Sequence, residues 1–116
     1  MIELLLQAER SLAVGQLDAA ERLYRQAIDG DPRNSIAVVG LARVALDRGD
    51  DRAAYRFAQD ALQIDAENVA AQRLVTRLGE VMLHRGEEPP PEPPTKSPTA
   101  NARPRRRGIL GRIMGR

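Results

Sequence analysis

The sequence predicts an all-α protein: a helix-turn-helix repeat solenoid of about five helices, followed by a disordered tail rich in proline and basic residues. Three observations support this prediction. Apolar residues recur at helical spacing as far as residue 85, the sequence repeats itself at an offset of 34 residues, and the composition changes after residue 88. No stretch shows the apolar-polar alternation of a half-buried strand.

The offset of 34 residues aligns two copies of one unit. Ten of the 34 aligned positions are identical, and small residues recur at the same places. Stacked copies explain this pattern, because each unit buries its apolar face against its neighbours. The identical pairs are Ile2/Ile36, Ala8/Ala42, Leu12/Leu46, Gly15/Gly49, Ala19/Ala53, Ala20/Ala54, Arg22/Arg56, Ala27/Ala61, Asp31/Asp65 and Asn34/Asn68.

The first unit contains two predicted helices. The apolar stripe of the first helix covers residues 4–13, and Gly15 ends it. Asp18 begins the second helix and forms a capping-box pattern with Glu21, in which the two side chains satisfy first-turn N–H groups. The second helix ends before Pro32, because proline cannot continue a helix.

The second unit repeats this arrangement and leads into a fifth helix. Asn34 or Ser35 caps the third helix, and Gly49 with Asp50 supplies the turn and cap before the fourth. The fifth helix is predicted over residues 69–85. Its inward-facing residues are expected to be Leu74, Val75, Leu78, Val81 and Met82.

This pattern resembles the tetratricopeptide repeat. The resemblance implies a domain over residues 1–88, with full repeats at about 1–34 and 35–68 and a capping helix at about 69–85. Tyr24 is expected to fill the gap between neighbouring hairpins. The first copy reads Leu4-x2-Gln7-Ala8-x2-Ser11, then Ala20-x3-Tyr24-x2-Ala27 and Pro32. Departures from the family pattern are Ser11, Ala45 and Ala58 in place of aromatic residues and Ala66 in place of proline.

The resemblance also implies a concave face, lined by the first helix of each unit, that binds a peptide or helix of a partner protein. An apolar end suits a hydrophobic anchor, and arginines suit acidic groups because guanidinium binds carboxylates through two hydrogen bonds. The alternative is a solvated helix face. Matching repeat positions puts on this face Ile2, Leu5, Glu9, Ile36, Val39, Arg43, Arg73 and Arg77.

The chain offers little chemistry for catalysis or metal binding. It has no cysteine and a single histidine, His84, which is expected to be a solvated residue at a helix end. The body's carboxylates cluster at helix starts and turns, where capping explains them. No phosphate-binding or nucleophile motif is present, so we expect a non-enzymatic protein without a cofactor.

The charge is divided between two parts of the chain. Residues 1–88 contain eleven arginines and fifteen acidic residues, a net charge of −4, whereas residues 89–116 carry a net charge of +6. Seven of the eight prolines also lie beyond residue 88. We therefore expect a Pro-rich linker over residues 89–102 and a basic amphipathic tail over residues 103–116.

The tail has several interpretations. On a helix its apolar residues form one side and its arginines another, which suits an anionic membrane surface. It could instead dock in a protein groove, bind nucleic acid (disfavoured, because no aromatic residue offers a stacking platform), or serve only as a solubilising extension. The residues concerned are Arg105, Arg106, Arg107, Arg112, Ile109, Leu110, Ile113 and Met114.

Together these features predict a cytoplasmic adaptor that binds a partner protein in its groove, with the basic tail as a tether that would make it peripheral to a membrane. The start of the chain has no signal-peptide pattern. The alternative is an anionic-surface or nucleic-acid-binding protein whose repeats serve as scaffold or dimeriser. Self-association is also expected to help so short a stack of repeats.

Overall fold

The computed structural model describes residues 2–91 of the chain. Within that range the chain forms five α-helices and no strand, which confirms the predicted all-α repeat architecture. Consecutive helices pack against each other through short connections and so form a stack of antiparallel hairpins. The helices are α1 (Ile2–Ala13), α2 (Leu17–Gly30), α3 (Ser35–Asp47), α4 (Asp51–Ile64) and α5 (Val69–His84).

Side-chain caps begin three of the helices. Asn34, Asp50 and Asn68 precede α3, α4 and α5, and the side chain of each accepts a hydrogen bond of 3.0–3.1 Å from a first-turn backbone N–H. Gly15 and Gly49 make the turn before α2 and α4 with φ of +81° and +83°, a conformation that favours glycine. The predicted turns and the caps at Asn34 and Asp50 are therefore confirmed.

The capping box predicted at Asp18 is wrong. Helix α2 begins one residue earlier, at Leu17, and its N-cap residue Gln16 makes no side-chain capping bond. This start places Asp18 within the first turn. Asp18 and Glu21 instead accept hydrogen bonds from the Arg48 guanidinium, which follows α3. The hydrogen bond from Arg48 lowers the pKa of the Glu21 carboxyl below its usual value. Arg25, which lies in α2 with Glu21, lowers this pKa further but has the smaller effect.

An equivalent ion pair joins α4 to α5. Arg85 follows α5 and donates a hydrogen bond of 2.6 Å to Asp51 in the first turn of α4. In both cases a cation at the C-terminal end of one helix meets a carboxylate at the N-terminal end of its neighbour. Both charges are favourable there, because the helix dipole is positive at the N-terminus and negative at the C-terminus. The two arginines thereby link the end of α3 to the start of α2 and the end of α5 to the start of α4.

The core combines small residues with one large aromatic ring. Ala8, Ala20, Ala42 and Ala54 are fully buried, as close approach of the helices requires. Tyr24 is also fully buried and lies against Gly40 of α3, where a Cβ atom would overlap the tyrosine ring. Tyr24 thus fills the gap between the two hairpins, as predicted.

Helix α5 covers the last hairpin with one of its faces. Leu78 and Met82 are buried there against Ala45 and Ala54, residues of α3 and α4. Val81 was predicted to face inward, but it is 38% exposed. The prediction is wrong because Val81 lies on a side of α5 that no further helix covers within the described part of the chain.

Candidate functional site

The face formed by α1, α3 and α5 carries the predicted groove residues. Glu9, Arg43 and Arg77 occupy equivalent positions, 34 residues apart, on these three helices. The Nη1 atom of Arg43 donates to both carboxylate oxygens of Glu9 at 3.1 Å. These two equivalent positions on α1 and α3 therefore lie side by side. Arg77 occupies the equivalent position on α5.

The carboxylate of Glu9 has a second partner from α2. The hydroxyl of Tyr24 donates to its Oε2 atom at 2.7 Å. Burial raises the pKa of the Tyr24 hydroxyl well above its usual value, and the nearby carboxylate of Glu9 raises it further. Tyr24 therefore stays a neutral donor, and the three side chains tie α1, α2 and α3 together. Arg43, predicted as a ligand for acidic groups, already pairs with an acid of the chain itself.

The predicted apolar end of the groove is only partly accessible. Ile2 and Ile36 are 69% and 59% exposed at the first turns of α1 and α3. Leu5 is half-buried against the first hairpin's core. Val39 is only 5% exposed and packs in a core cluster with Ala61 and other residues. Its side chain serves the fold, so among the four predicted apolar residues Ile2 and Ile36 are the most accessible to a ligand.

Helix α5 supplies the accessible positive charge of this face. Arg73 and Arg77 are both exposed, and no carboxylate within residues 2–91 forms an ion pair with either guanidinium. Together with Gln72, Thr76 and Glu80 they line a shallow depression of about 490 Å³. The depression lies along one stripe of the helix, so one ligand could contact both arginines.

Two polar residues of this depression were not predicted from the sequence. Gln72 and Thr76 occupy the positions that Val38 and Ala42 occupy in α3, where both residues are buried. Aligning α5 with α3 at the same 34-residue offset would have revealed this change from apolar to polar residues. The change indicates that this face of α5 meets solvent or a ligand.

Residues 2–91 contain no group of three or more His, Asp or Glu side chains that could hold a metal ion. None of their helices is long and apolar enough to cross a membrane. The predicted tail residues lie outside the described range: Arg105, Arg106, Arg107, Arg112, Ile109, Leu110, Ile113 and Met114.

Known proteins share this repeat pattern. A family profile described as tetratricopeptide repeat matches residues 11–86. Cellulose synthase 1 operon protein C of Komagataeibacter xylinus is 41% identical over 46 residues, and cellulose synthase operon protein C of the same organism is 31% identical over 64 residues. These matches cover 40% and 55% of this chain but only 4% and 5% of the relatives. No solved structure gives a significant match.

Proposed function

Since the chain belongs to the tetratricopeptide repeat family, we propose that it is a non-enzymatic adaptor whose α1–α3–α5 face binds an acidic peptide or helix of a partner protein. Tetratricopeptide repeats generally mediate protein–protein interaction and are not catalytic. The finer proposal concerns the ligand, which combines acidic groups with an aliphatic anchor. It rests chiefly on one observation, the pair of exposed arginines on α5.

The positions of Arg73 and Arg77 favour an acidic ligand. They are four residues apart on one helix, so their side chains are neighbours, and two like charges at this spacing are mildly unfavourable for an isolated helix. A carboxylate ligand would relieve that repulsion and accept charge-assisted hydrogen bonds from both guanidinium groups. Arg43 would contribute less, because Glu9 already neutralises it.

The exposed isoleucines favour an aliphatic anchor on the same ligand. Ile2 and Ile36 are large apolar side chains at equivalent positions of α1 and α3. Burying such a side chain under a ligand contributes about 1.5–3 kcal/mol. A ligand would place its aliphatic anchor against the starts of α1 and α3 and its acidic groups against the arginines of α5. The face would therefore select ligands that carry these two features in a fixed order.

Selection from a random peptide display library on the immobilised full chain would test this proposal. The expected peptides combine two or more acidic residues with an aliphatic residue, and Arg73→Glu/Arg77→Glu should weaken their binding at least tenfold, or about 1.4 kcal/mol. The matched control is Arg22→Glu/Arg56→Glu, which makes the same charge change on α2 and α4. Equal losses in both variants, or selection of peptides without acidic residues, would refute the proposal.

The basic tail provides a second proposed contact. Residues 103–116 would tether the adaptor to an anionic surface such as a membrane, as the arrangement of their arginines and apolar residues favours. Flotation of the full chain with vesicles of anionic lipid, compared with vesicles of neutral lipid, separates this role from the groove. Binding that is lost in Arg105→Ser/Arg106→Ser/Arg107→Ser but kept in Arg73→Glu/Arg77→Glu would support it, and the reverse would contradict it.

A further inference from the structure

A second concave feature lies between α4 and α5, built from residues other than those of the α1–α3–α5 face. It is a cavity of about 400 Å³, and three kinds of side chain line it: the aromatic ring of Tyr55, the aliphatic side chains of Leu62 and Val75, and the amides of Gln59 and Gln63. Pro90, beyond the end of α5, completes the lining. We call this cavity the α4/α5 groove.

Gln59 is the unusual residue of the α4/α5 groove. It is only 6% exposed, yet its side-chain amide has no hydrogen-bond partner among residues 2–91. Leaving a buried amide unsatisfied costs about 1–3 kcal/mol. A ligand that presents backbone carbonyl groups to the groove would satisfy the two N–H donors of this amide.

The chain itself enters the α4/α5 groove after α5. Gly86 turns the backbone with φ of +78°, and Arg52 in the first turn of α4 donates a hydrogen bond of 3.0 Å to the carbonyl oxygen of Glu88. Two residues later Pro90 is buried in the wall of the groove. From residue 88 to residue 90 the chain therefore advances along α4 from its first turn towards its middle.

We propose that the α4/α5 groove is a polyproline-binding site and that its occupant is the continuation of this chain, residues 92–94, Glu-Pro-Pro. A polyproline II segment has no internal hydrogen bonds, so its carbonyl groups are available to donors such as Gln59 and Gln63. Its proline rings pack well on aromatic and aliphatic side chains, here Tyr55, Leu62 and Val75.

Length and position favour the chain's own segment over other occupants. Tyr55 and Gln63 are eight residues apart on α4, a distance of about 12 Å. In polyproline II conformation the chain would also advance about 12 Å over the four steps from Pro90 to residue 94. The segment is already held at residue 90, so no long loop has to close before it binds.

This docking would complete the end of the solenoid. Residues 85–98 align in sequence with α4 at the 34-residue offset, so they correspond to the second helix of a third repeat. Their prolines forbid a helix interior, and an extended segment would cover the same groove instead. The docked segment would also fix where the chain leaves the domain towards its basic tail.

Backbone ¹⁵N relaxation of the full chain tests the proposal through the amides of Glu92 and Thr95, which flank the docked prolines. Both order parameters are expected near about 0.8, against values below about 0.6 for a flexible segment. Gln59→Leu removes the amide donors while keeping an apolar side chain of similar size, and it should lower both values below about 0.6. Gln26→Leu, a matched change on the exposed side of α2, should leave them unchanged.

Three results would overturn the proposal. The first is a pair of low order parameters in the parent chain. The second is rigidity that survives in Gln59→Leu, with circular dichroism showing that the variant is folded. The third is rigidity that is lost on dilution, because this would assign the groove to the segment of a second copy.

Discussion

The two junctions between hairpins use opposite packing. Between α2 and α3 the large residue is Tyr24 and the small one is Gly40. At the equivalent positions of α4 and α5 the small residue is Ala58 and the large one is Leu74. The large residue therefore belongs to α2 at the first junction and to α5 at the second. We infer that a junction needs a large and a small residue rather than a tyrosine as such.

The junctions also differ in how their polar groups are satisfied. At the first junction Glu9 pairs with both Tyr24 and Arg43, so the charges are matched within the chain. At the second junction, Arg77 forms no ion pair with any residue between 2 and 91. The buried amide of Gln59, on the other side of this junction, likewise has no hydrogen-bond partner within that range. The first junction holds the fold together, and we infer that the second is built to receive ligands.

The largest expected effect is the loss of stability when a glycine at the first junction, but not one at the second, is replaced by alanine. Gly40→Ala should lower the free energy of unfolding by about 2 kcal/mol, because the overlap of the added Cβ with the buried Tyr24 ring outweighs the helix propensity that alanine gains over glycine. Gly79→Ala makes the same change in α5, where the Cβ would lie 3.4 Å from the ring of Tyr55 in ordinary contact. Within a helix, alanine is more favourable than glycine by about 1 kcal/mol. The Gly79→Ala variant should therefore not be destabilised. Urea unfolding of both variants provides the measurement.

A double variant tests whether the junction needs only complementary volumes. Tyr24→Ala/Gly40→Leu converts the first junction to the residue pair of the second, and it should be more stable than Gly40→Leu alone. Equal instability of the single and double variants in urea would show that the aromatic ring itself is required.

Removing the hydroxyl of Tyr24 should cause a smaller loss of stability. Tyr24→Phe should cost about 1.5 kcal/mol at neutral pH, because the bond to the Glu9 carboxylate is lost. The folded state raises the pKa of Tyr24, so in the parent chain this contribution is complete below pH ~10 and falls as the pH rises above the pKa of an unfolded tyrosine.

Urea midpoints at pH 8 and pH 11 measure this dependence. The decline between the two pH values should be smaller in Tyr24→Phe than in the parent. Tyr55→Phe is the matched control, since within residues 2–91 the hydroxyl of Tyr55 makes no hydrogen bond. A parallel decline in the parent and Tyr24→Phe would contradict the role assigned to Tyr24.

The sequence predicted the fold well because the fold depends on short-range patterns. Helical periodicity, glycine turns and the 34-residue offset all appear in the chain itself, and they located every helix within a few residues. Asp18 was misassigned because its actual partner, Arg48, is 30 residues away. Local spacing cannot distinguish a cap from an ion pair between helices.

The candidate site was less predictable because its properties depend on contacts between helices. Matching repeat positions placed Arg43 and Arg77 on one face, but only the structure shows that Glu9 neutralises Arg43. Likewise, Val39 fits a groove pattern by position and is buried by α4 and α5. The α4/α5 groove could not be predicted at all, because Gln59 and Pro90 are far apart in the sequence.

The most direct test of the difference between the junctions is chemical-shift mapping on the ¹⁵N-labelled full chain with an acidic peptide from the display selection. The largest amide shifts are expected along α5 from Gln72 to Glu80, with smaller shifts near Ile36. The amides around Glu9 and Tyr24 should change little, because their polar groups already have partners. Shifts centred on α1 and α2, with none on α5, would contradict the assignment of ligand binding to the second junction.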